Sequence, residues 1–370
     1  MRKTLLWWSH DPDPNYARNR VVRQQLRALG WRIVDFRPLI SGLGDVQARV
    51  AGPPPHAVVW VPCFRQRDVA AAVRHARRTG VPLIFDPLIS AWDKQVFERR
   101  KFPEDSAAAR RLLAWEGDLL RHCDRVVADT PAHAAFFQER FGLAADVLAV
   151  VPVGAEEALF LPTPPPVAAP PEVLFAGSFI ALQGPEVIVE AVRRYRGPPA
   201  RFTLLGDGPL KAACISAARG LDDLRFEPWL DYAALPARLA RARVLLGIFG
   251  SSGKAGRVIP NKAYQALACG RPLITRESPA WEGVAPGRDS GVWRVAAGDP
   301  QALAEALADV LAQPALLDAM SIAARATYER LYSEQHVRAA LATLLGGLHP
   351  GATPPPGTAD AGAAGSIDGK

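Results

Sequence analysis

The chain has 370 residues, of which 49% are hydrophobic, 22% charged and 8% aromatic, enough to fill buried cores and too apolar for a chain that stays unfolded. At roughly 150 residues per domain the length predicts about two domains. Forty-four Lys and Arg against 37 Asp and Glu leave a net charge of +7, a bias toward anionic partners without the dominant basic block of a nucleic-acid binder. The N-terminus starts basic at Arg2-Lys3 but turns polar at Ser9 after four apolar residues, too soon for the apolar stretch of a signal peptide. No run approaches the ~18 apolar residues of a spanning helix. Short clusters such as Arg77-Arg78, Arg99-Arg100-Lys101 and Arg193-Arg194 fit solvated helix faces or a membrane-surface patch as well as a phosphate site. Cys63, Cys123, Cys214 and Cys269 lie far apart with no CxxC pair and read as reduced core residues. The expectation is a soluble, cytoplasmic protein, attached at most to the inner face of a membrane.

Along the chain, short runs of Val, Leu and Ile alternate with segments of helical period, the pattern of parallel strands buried between helices. The first half predicts strands at 4–8, 32–36, 57–61, 82–86, 125–129 and 147–151. Between them, Val69, Ala72, Val73 and Ala76 form one apolar helical stripe, and Leu112, Trp115, Leu119 and Leu120 another. Thr130-Pro131 supplies a cap and a first-turn proline for a helix that Gly142 ends. Residues 161–171 hold six prolines in eleven positions and read as a stiff linker. Strands then resume at 172–176, 201–205, 224–227, 243–249, 272–275 and 292–295, with helices burying Val187, Ile188, Ala191 and Val192, and Leu303, Leu307 and Leu311. The predicted organisation is an α/β domain over 1–160, the linker, a second over 172–333, a helix over 334–349 that packs back on the first domain, and a disordered tail over 350–370. Two doubly wound sheets leave a cleft between them, and ligands of such sheets bind at the carboxyl ends of the strands.

Two segments of the second half could carry chemistry. The strand at 201–205 runs into Gly206-Asp207-Gly208 and a helix, which places glycines where a backbone can approach a phosphate; a tight turn alone explains them equally well. Lys211 stands where a dinucleotide fingerprint needs its third glycine, which removes support for a nicotinamide cofactor. The segment 245–272, LLGIFGSSGKAGRVIPNKAYQALACGRP, is richer. A buried strand runs into a loop with Gly250, Gly253 and Gly256, Lys254 and Arg257, and Pro260-Asn261 opens a helix with Lys262 in its first turn. Cations and helix-end amides converging at a strand-to-helix junction suit a pyrophosphate.

Taken in order, VPVGAEEALF, VLFAGSF with GPEVIVEAV, LLGDGPL, FEPWLDYAALPARLARARVLLGIF and PNKAYQALACGRPLIT resemble GT-B glycosyltransferases similar to family 4, most strongly from about Val151 to Glu282. The resemblance implies two Rossmann-like domains facing across a cleft and a retaining transferase. It implies a nucleotide-diphosphate sugar held mostly by the C-terminal domain, a carbohydrate or lipid-linked acceptor held mostly by the N-terminal one, and no metal or other cofactor. Polysaccharide, cell-envelope or glycoconjugate synthesis is the setting it suggests. The alternatives are a GT-B nucleotide-sugar epimerase and a catalytically inactive GT-B binding protein.

Two departures from the family stand out. Most members place an Arg and a Lys after the first C-terminal strand to hold the diphosphate, whereas this chain has Gly177, Ser178 and Gln183 there. The Glu-x7-Glu positions are occupied by Arg257 and Gln265; Gln265 can still bond a ribose diol, while Arg257 offers charge to phosphate. We therefore expect a clamp of Lys254, Arg257 and Lys262, with Gly177, Ser178, Gly206, Asp207, Gly208 and Gln265 completing the donor site. On the acceptor side, the loops after the first and fourth strands carry His10, Asp11, Tyr16 and Arg18, and Asp86, Ser90 and Asp93. Asp86, at a strand end beside the cleft, is the first choice to orient or deprotonate an acceptor hydroxyl, with His10 next and Arg257 as electrostatic partner. His133 and the Trp7-Trp8 pair read as structural.

Overall fold

The computed structural model describes residues 3–11, 16–99, 101–164 and 169–348. In the first sheet β1 (Thr4–Trp8), β2 (Arg32–Phe36), β3 (Val58–Val61), β4 (Leu83–Phe85), β5 (Arg125–Ala128) and β6 (Leu148–Val150) pair in the order β2-β1-β3-β4-β5-β6. In the second, β7 (Glu172–Ala176), β8 (Arg201–Leu205), β9 (Leu224–Glu227), β10 (Val244–Leu246), β11 (Leu273–Arg276) and β12 (Val292–Val295) pair in the order β12-β11-β10-β7-β8-β9. Every ladder is parallel, with Leu5, Leu6 and Trp7 set between Ile33, Val34 and Asp35 on one side and Val58, Val59 and Trp60 on the other. Strands buried on both faces need no polar alternation, which is why β3 reads VVWV and β10 VLL. The strand expected at 243–249 is shorter, Val244–Leu246, with Gly247 N still donating to Ile274 O of β11 at 2.8 Å.

The first sheet is covered by α1 (Ala17–Ala28), α2 (Gly44–Ala51), α3 (Gln66–Thr79), the single turn α4 (Ala91–Asp93), α5 (Ala107–Arg121) and α6 (Pro131–Phe141). The second is covered by α7 (Pro185–Arg194), α8 (Lys211–Ala217), α9 (Leu235–Ala240), α10 (Asn261–Ala268), α11 (Pro300–Leu311) and α12 (Pro314–Leu331). Thr130 caps α6 by accepting from His133 N, and Gly142 ends it at φ 65°. In α5 the expected stripe is rotated: Trp115 is 40% exposed and Glu116 faces inward. The four cysteines are free and buried, and no single helix among the described residues is long and apolar enough to cross a membrane.

After α12 the chain crosses back to the first domain as α13 (Glu334–Gly346), which buries Val337, Leu341 and Leu344 against Leu5, Trp7, Val21 and Trp60. A second shared core joins Cys63, Leu88, Val153 and Phe160 of the first half to Tyr264, Trp281, Tyr328 and Tyr332 of the second. Arg271, fully buried, fastens the start of the linker by donating to Thr163 O, Thr163 Oγ1 and Pro164 O. Linker residues 165–168 and the tail from 349 lie outside the described residues.

Candidate active site

The second sheet reverses its strand order between β7 and β10, so the loops after these strands part and leave a crevice. The loop after β7, residues 177–184, is held by the loop after β8. Phe179 N donates to Asp207 O at 2.8 Å, Leu210 N to Phe179 O at 3.0 Å and Gly177 N to Leu205 O at 2.9 Å. Gly206 and Gly208 adopt φ of 132° and 149°. A Cβ on Gly208 would stand 2.7 Å from Phe179 O, and one on Gly206 would collide with Gly177 O. These glycines thus let one loop lie directly on the other, and exposed Asp207 accepts from Gly208 N at 2.7 Å. They shape the β7 loop from behind.

Under that loop runs Lys262, from the first turn of α10. Its Nζ lies 3.5 Å from the centroid of the Phe175 ring and has no hydrogen-bond partner among the described residues. A Cβ on Gly177 would collide with this ammonium and stand 2.9 Å from Gln183 Oε1, itself buried without a partner. Burial pushes the Lys262 pKa well below the ordinary lysine value, because a charge removed from water without an anion is costly. Gln265, one turn on, is 7% exposed.

The other two expected clamp cations are engaged by carboxylates of the first domain. Lys254, 2% exposed, is ion-paired with Glu98 of the first domain. Arg257 donates from Nη2 to Asp93 Oδ1 at 2.8 Å, and its guanidinium lies 4.1 Å from the centroid of the Phe136 ring. Thr130 Oγ1 donates to Arg257 O at 2.6 Å, and Asn261 Nδ2 to Tyr16 Oη at 3.2 Å. Lys254→Met should therefore leave donor affinity within about threefold, as for independent sites. It should cost about 1–3 kcal/mol in denaturant unfolding by stranding the Glu98 carboxylate.

On the acceptor side the structure again assigns other work to several expected residues. Asp86, 1% exposed, accepts from Arg18 Nε at 2.9 Å, and Arg18, 0% exposed, also donates to Val151 O and Pro152 O at 2.8 Å each. Both side chains are buried and held in an ion pair with each other. Ser90 is also buried: its Oγ donates to Glu116 Oε2 at 2.7 Å and caps α4 by accepting from Asp93 N at 3.1 Å. Glu116 accepts in addition from Ala91 N and Trp92 N. This inward carboxylate, which sequence reasoning did not single out, holds the turn that carries Asp93. Asp93 pairs across the cleft with Arg257.

His10 is exposed, its Nδ1 2.7 Å from Pro38 O and its backbone N bonded to Asp68. Asp11 pairs with Arg65 at 3.1 Å, and the expected loop continues through residues 12–15, outside the described residues. His133 is buried against Asp129 and stacked on Phe137. Among the described residues two non-glycines hold positive φ, Phe64 at 64° and Leu88 at 56°, in the loops after β3 and β4; such strain concentrates at functional edges. Beside Arg257 a cavity of about 410 Å³ is lined by Phe97, Leu113, Phe136, Glu139, Arg140 and Arg257. Three of these side chains are apolar and three charged. Among the described residues no group of three or more His, Cys, Asp or Glu could hold a metal ion.

Two family models match, "Glycosyl transferase 4-like domain" over residues 6–154 and "Glycosyl transferases group 1" over residues 170–313. The chain belongs to the GT-B glycosyltransferases similar to family 4. The glycosyltransferase is 36% identical over 109 residues to the "Putative colanic acid biosynthesis glycosyl transferase WcaI" of Escherichia coli K12, covering 29% of this chain and 26% of WcaI. It is 28% identical over 296 residues to the D-inositol 3-phosphate glycosyltransferase of Segniliparus rotundus, covering 75% of this chain and 64% of that protein. The chain thus matches about a quarter of one curated relative and under two thirds of the other. Anabaena HepE, solved in complex with UDP, shares the fold with a TM-score of 0.70 at 13% identity, over 93% of this chain and all of HepE.

Proposed function

We propose that this glycosyltransferase moves a hexose from a nucleotide-diphosphate sugar to a lipid-linked or polysaccharide acceptor, with retention, on the cytoplasmic side of a cell envelope under synthesis and without a metal. The observation that carries the reading is the unpartnered Lys262 ammonium beneath Gly177, at the strand-order reversal of the second sheet. An anion over the β7 loop relieves its buried charge. The UDP complex of HepE and the colanic acid assignment of WcaI support donor class and setting.

In the proposed reaction the bond between the anomeric carbon and the diphosphate oxygen breaks as the acceptor oxygen bonds the same face, and the acceptor's proton passes to the leaving phosphate. No strong side-chain base is then needed. Lys262 stabilises the charge growing on the departing oxygen, and losing one such contact typically lowers turnover by ~10²–10³. The cavity lined by Phe136 and Arg140 is the acceptor-sugar site in this reading.

The test is incubation with UDP-, GDP- and ADP-sugars, following released nucleotide and the anomeric form of the freed sugar. Retained configuration supports the reading, and inversion overturns it. His10→Ala should keep turnover within about tenfold, below the contribution of a general base. A loss as large as that from altering Lys262 would point to a base-driven, inverting reaction.

A further inference from the structure

The segments after β3 and β4 gather positive charge that the reaction above does not use. Past β4, the single turn α4 runs into a π-helical turn, Lys94–Glu98, closed by Arg99 N donating to Lys94 O at 2.9 Å. Such wide turns, like non-glycine residues at positive φ, are costly and cluster at functional sites. Here the two meet. Lys94 Nζ lies 5.0 Å from the centroid of the Phe64 ring, whose backbone is held at φ 64°, and Tyr16 meets the same ring edge-on at 5.0 Å between centroids.

Lys94 is half-buried and makes no hydrogen bond or ion pair among the described residues. The carboxylates of this region are engaged elsewhere, Glu98 with Lys254 of the second domain and Asp11 with Arg65 at 3.1 Å. Burial lowers the Lys94 pKa below the ordinary lysine value; Arg99, Lys254 and Arg65 lower it further as like charges, and Glu98 opposes them. A lysine that serves only solubility extends its ammonium into water. This one is drawn over an aromatic ring amid three other cations, a repulsion that an added anion relieves.

The donor has its own cation in Lys262, beneath Gly177 of the second domain, whereas Phe64, Arg65 and Lys94 stand on the first. The π-helical turn that carries Lys94 also contributes Phe97 to the cavity taken above as the acceptor-sugar site. We propose that Lys94, with Arg65 and the Phe64 ring, binds an anionic group of the acceptor, a phosphate ester or a carboxylate. An ammonium is a point charge without the fixed fork of a guanidinium, so it takes either group. The proposal rests on the reaction proposed above for the acceptor and on this turn for its charge.

The test is calorimetric titration of the full chain, saturated with UDP so that the donor site is filled, with glucose 6-phosphate, glucuronate and glucose. At least one of the anionic sugars should bind about tenfold or more tighter than glucose, the scale of a hydrogen bond to a charged group. The tighter of the two identifies the group. Lys94→Gln should abolish the difference and Lys94→Arg retain it within about threefold, since the point charge is kept. Both should bind UDP as the unaltered protein does, and the Gln variant, relieved of like-charge repulsion, should melt no lower. Equal binding of the three sugars, or a preference that survives Lys94→Gln, overturns the proposal while UDP binding leaves the donor site standing. Absence of UDP binding defeats the reaction instead, and the same titration of the nucleotide-free protein then decides the Lys94 site.

Discussion

Lys262→Met is expected to stabilise the donor-free protein while lowering its affinity for nucleotide sugars by about 10²-fold or more. The two effects share one cause. In the free protein the ammonium is enclosed by Phe175 and the β7 loop without a hydrogen-bond partner, and exchanging an uncompensated buried charge for an apolar chain of similar length gains about 1–4 kcal/mol. At about 2–4 °C per kcal/mol for domains of this size, the melting temperature should rise measurably. With the donor bound, the same ammonium meets a diphosphate, and truncating one partner of a desolvated charge pair costs about 2–5 kcal/mol. Calorimetric titration with UDP and GDP, beside a thermal melt, reads both. A variant with lower stability and undiminished affinity would sink the donor site.

The pH dependence has a definite sign. Burial lowers the folded-state pKa of Lys262 well below 10.5, its ordinary value. Between the two values the unfolded chain binds the extra proton, so stability rises with pH through this window. The advantage of the Met variant should accordingly shrink as pH approaches 10.5 and vanish above it. Where the free protein holds Lys262 neutral, donor binding takes up a proton, visible as a buffer-dependent binding enthalpy that the variant lacks.

The reach of the sequence follows from which interactions are local. The bounds of β1, β2, β7, β8, β9 and β12 coincide with those read from the sequence, and in the central strand β1 an almost wholly apolar run marks burial on both faces. The helix stop at Gly142 was equally legible from glycine's access to positive φ. Partners of charged side chains were not. Lys254 and Arg257 were visible as cations at a strand-to-helix junction, but the carboxylates that hold them lie 156 and 164 residues earlier in sequence, and nothing local pairs them. Lys262 was legible as a first-turn cation. Its path beneath Gly177 was not, because that depends on β7 and β10 being neighbours in the sheet. Glu116 had no local signal either: it is buried because the backbone N–H groups of Ala91 and Trp92, some 25 residues earlier, donate to it.

Asp86→Asn is expected to destabilise the protein by about 3–5 kcal/mol, the cost of leaving a buried charge without its partner. Arg18 would keep its guanidinium at the ends of β4 and β6, held by Val151 O and Pro152 O, with no carboxylate to offset it. Arg18→Met should be similarly severe, because it strands Asp86 and also removes the donors to those two carbonyls. The double variant Arg18→Met/Asp86→Asn should be less destabilised than the sum of the two, since each single change leaves a charge that the double change removes. Guanidinium unfolding of the four proteins reads the coupling. Asp86 as the catalytic base makes the opposite forecast: Asp86→Asn with the wild-type midpoint but without turnover. That outcome would mean the strand end opens during the reaction and the ion pair is a resting contact; loss of stability in step with loss of turnover identifies it as the fastening that holds α1 to the sheet's active edge.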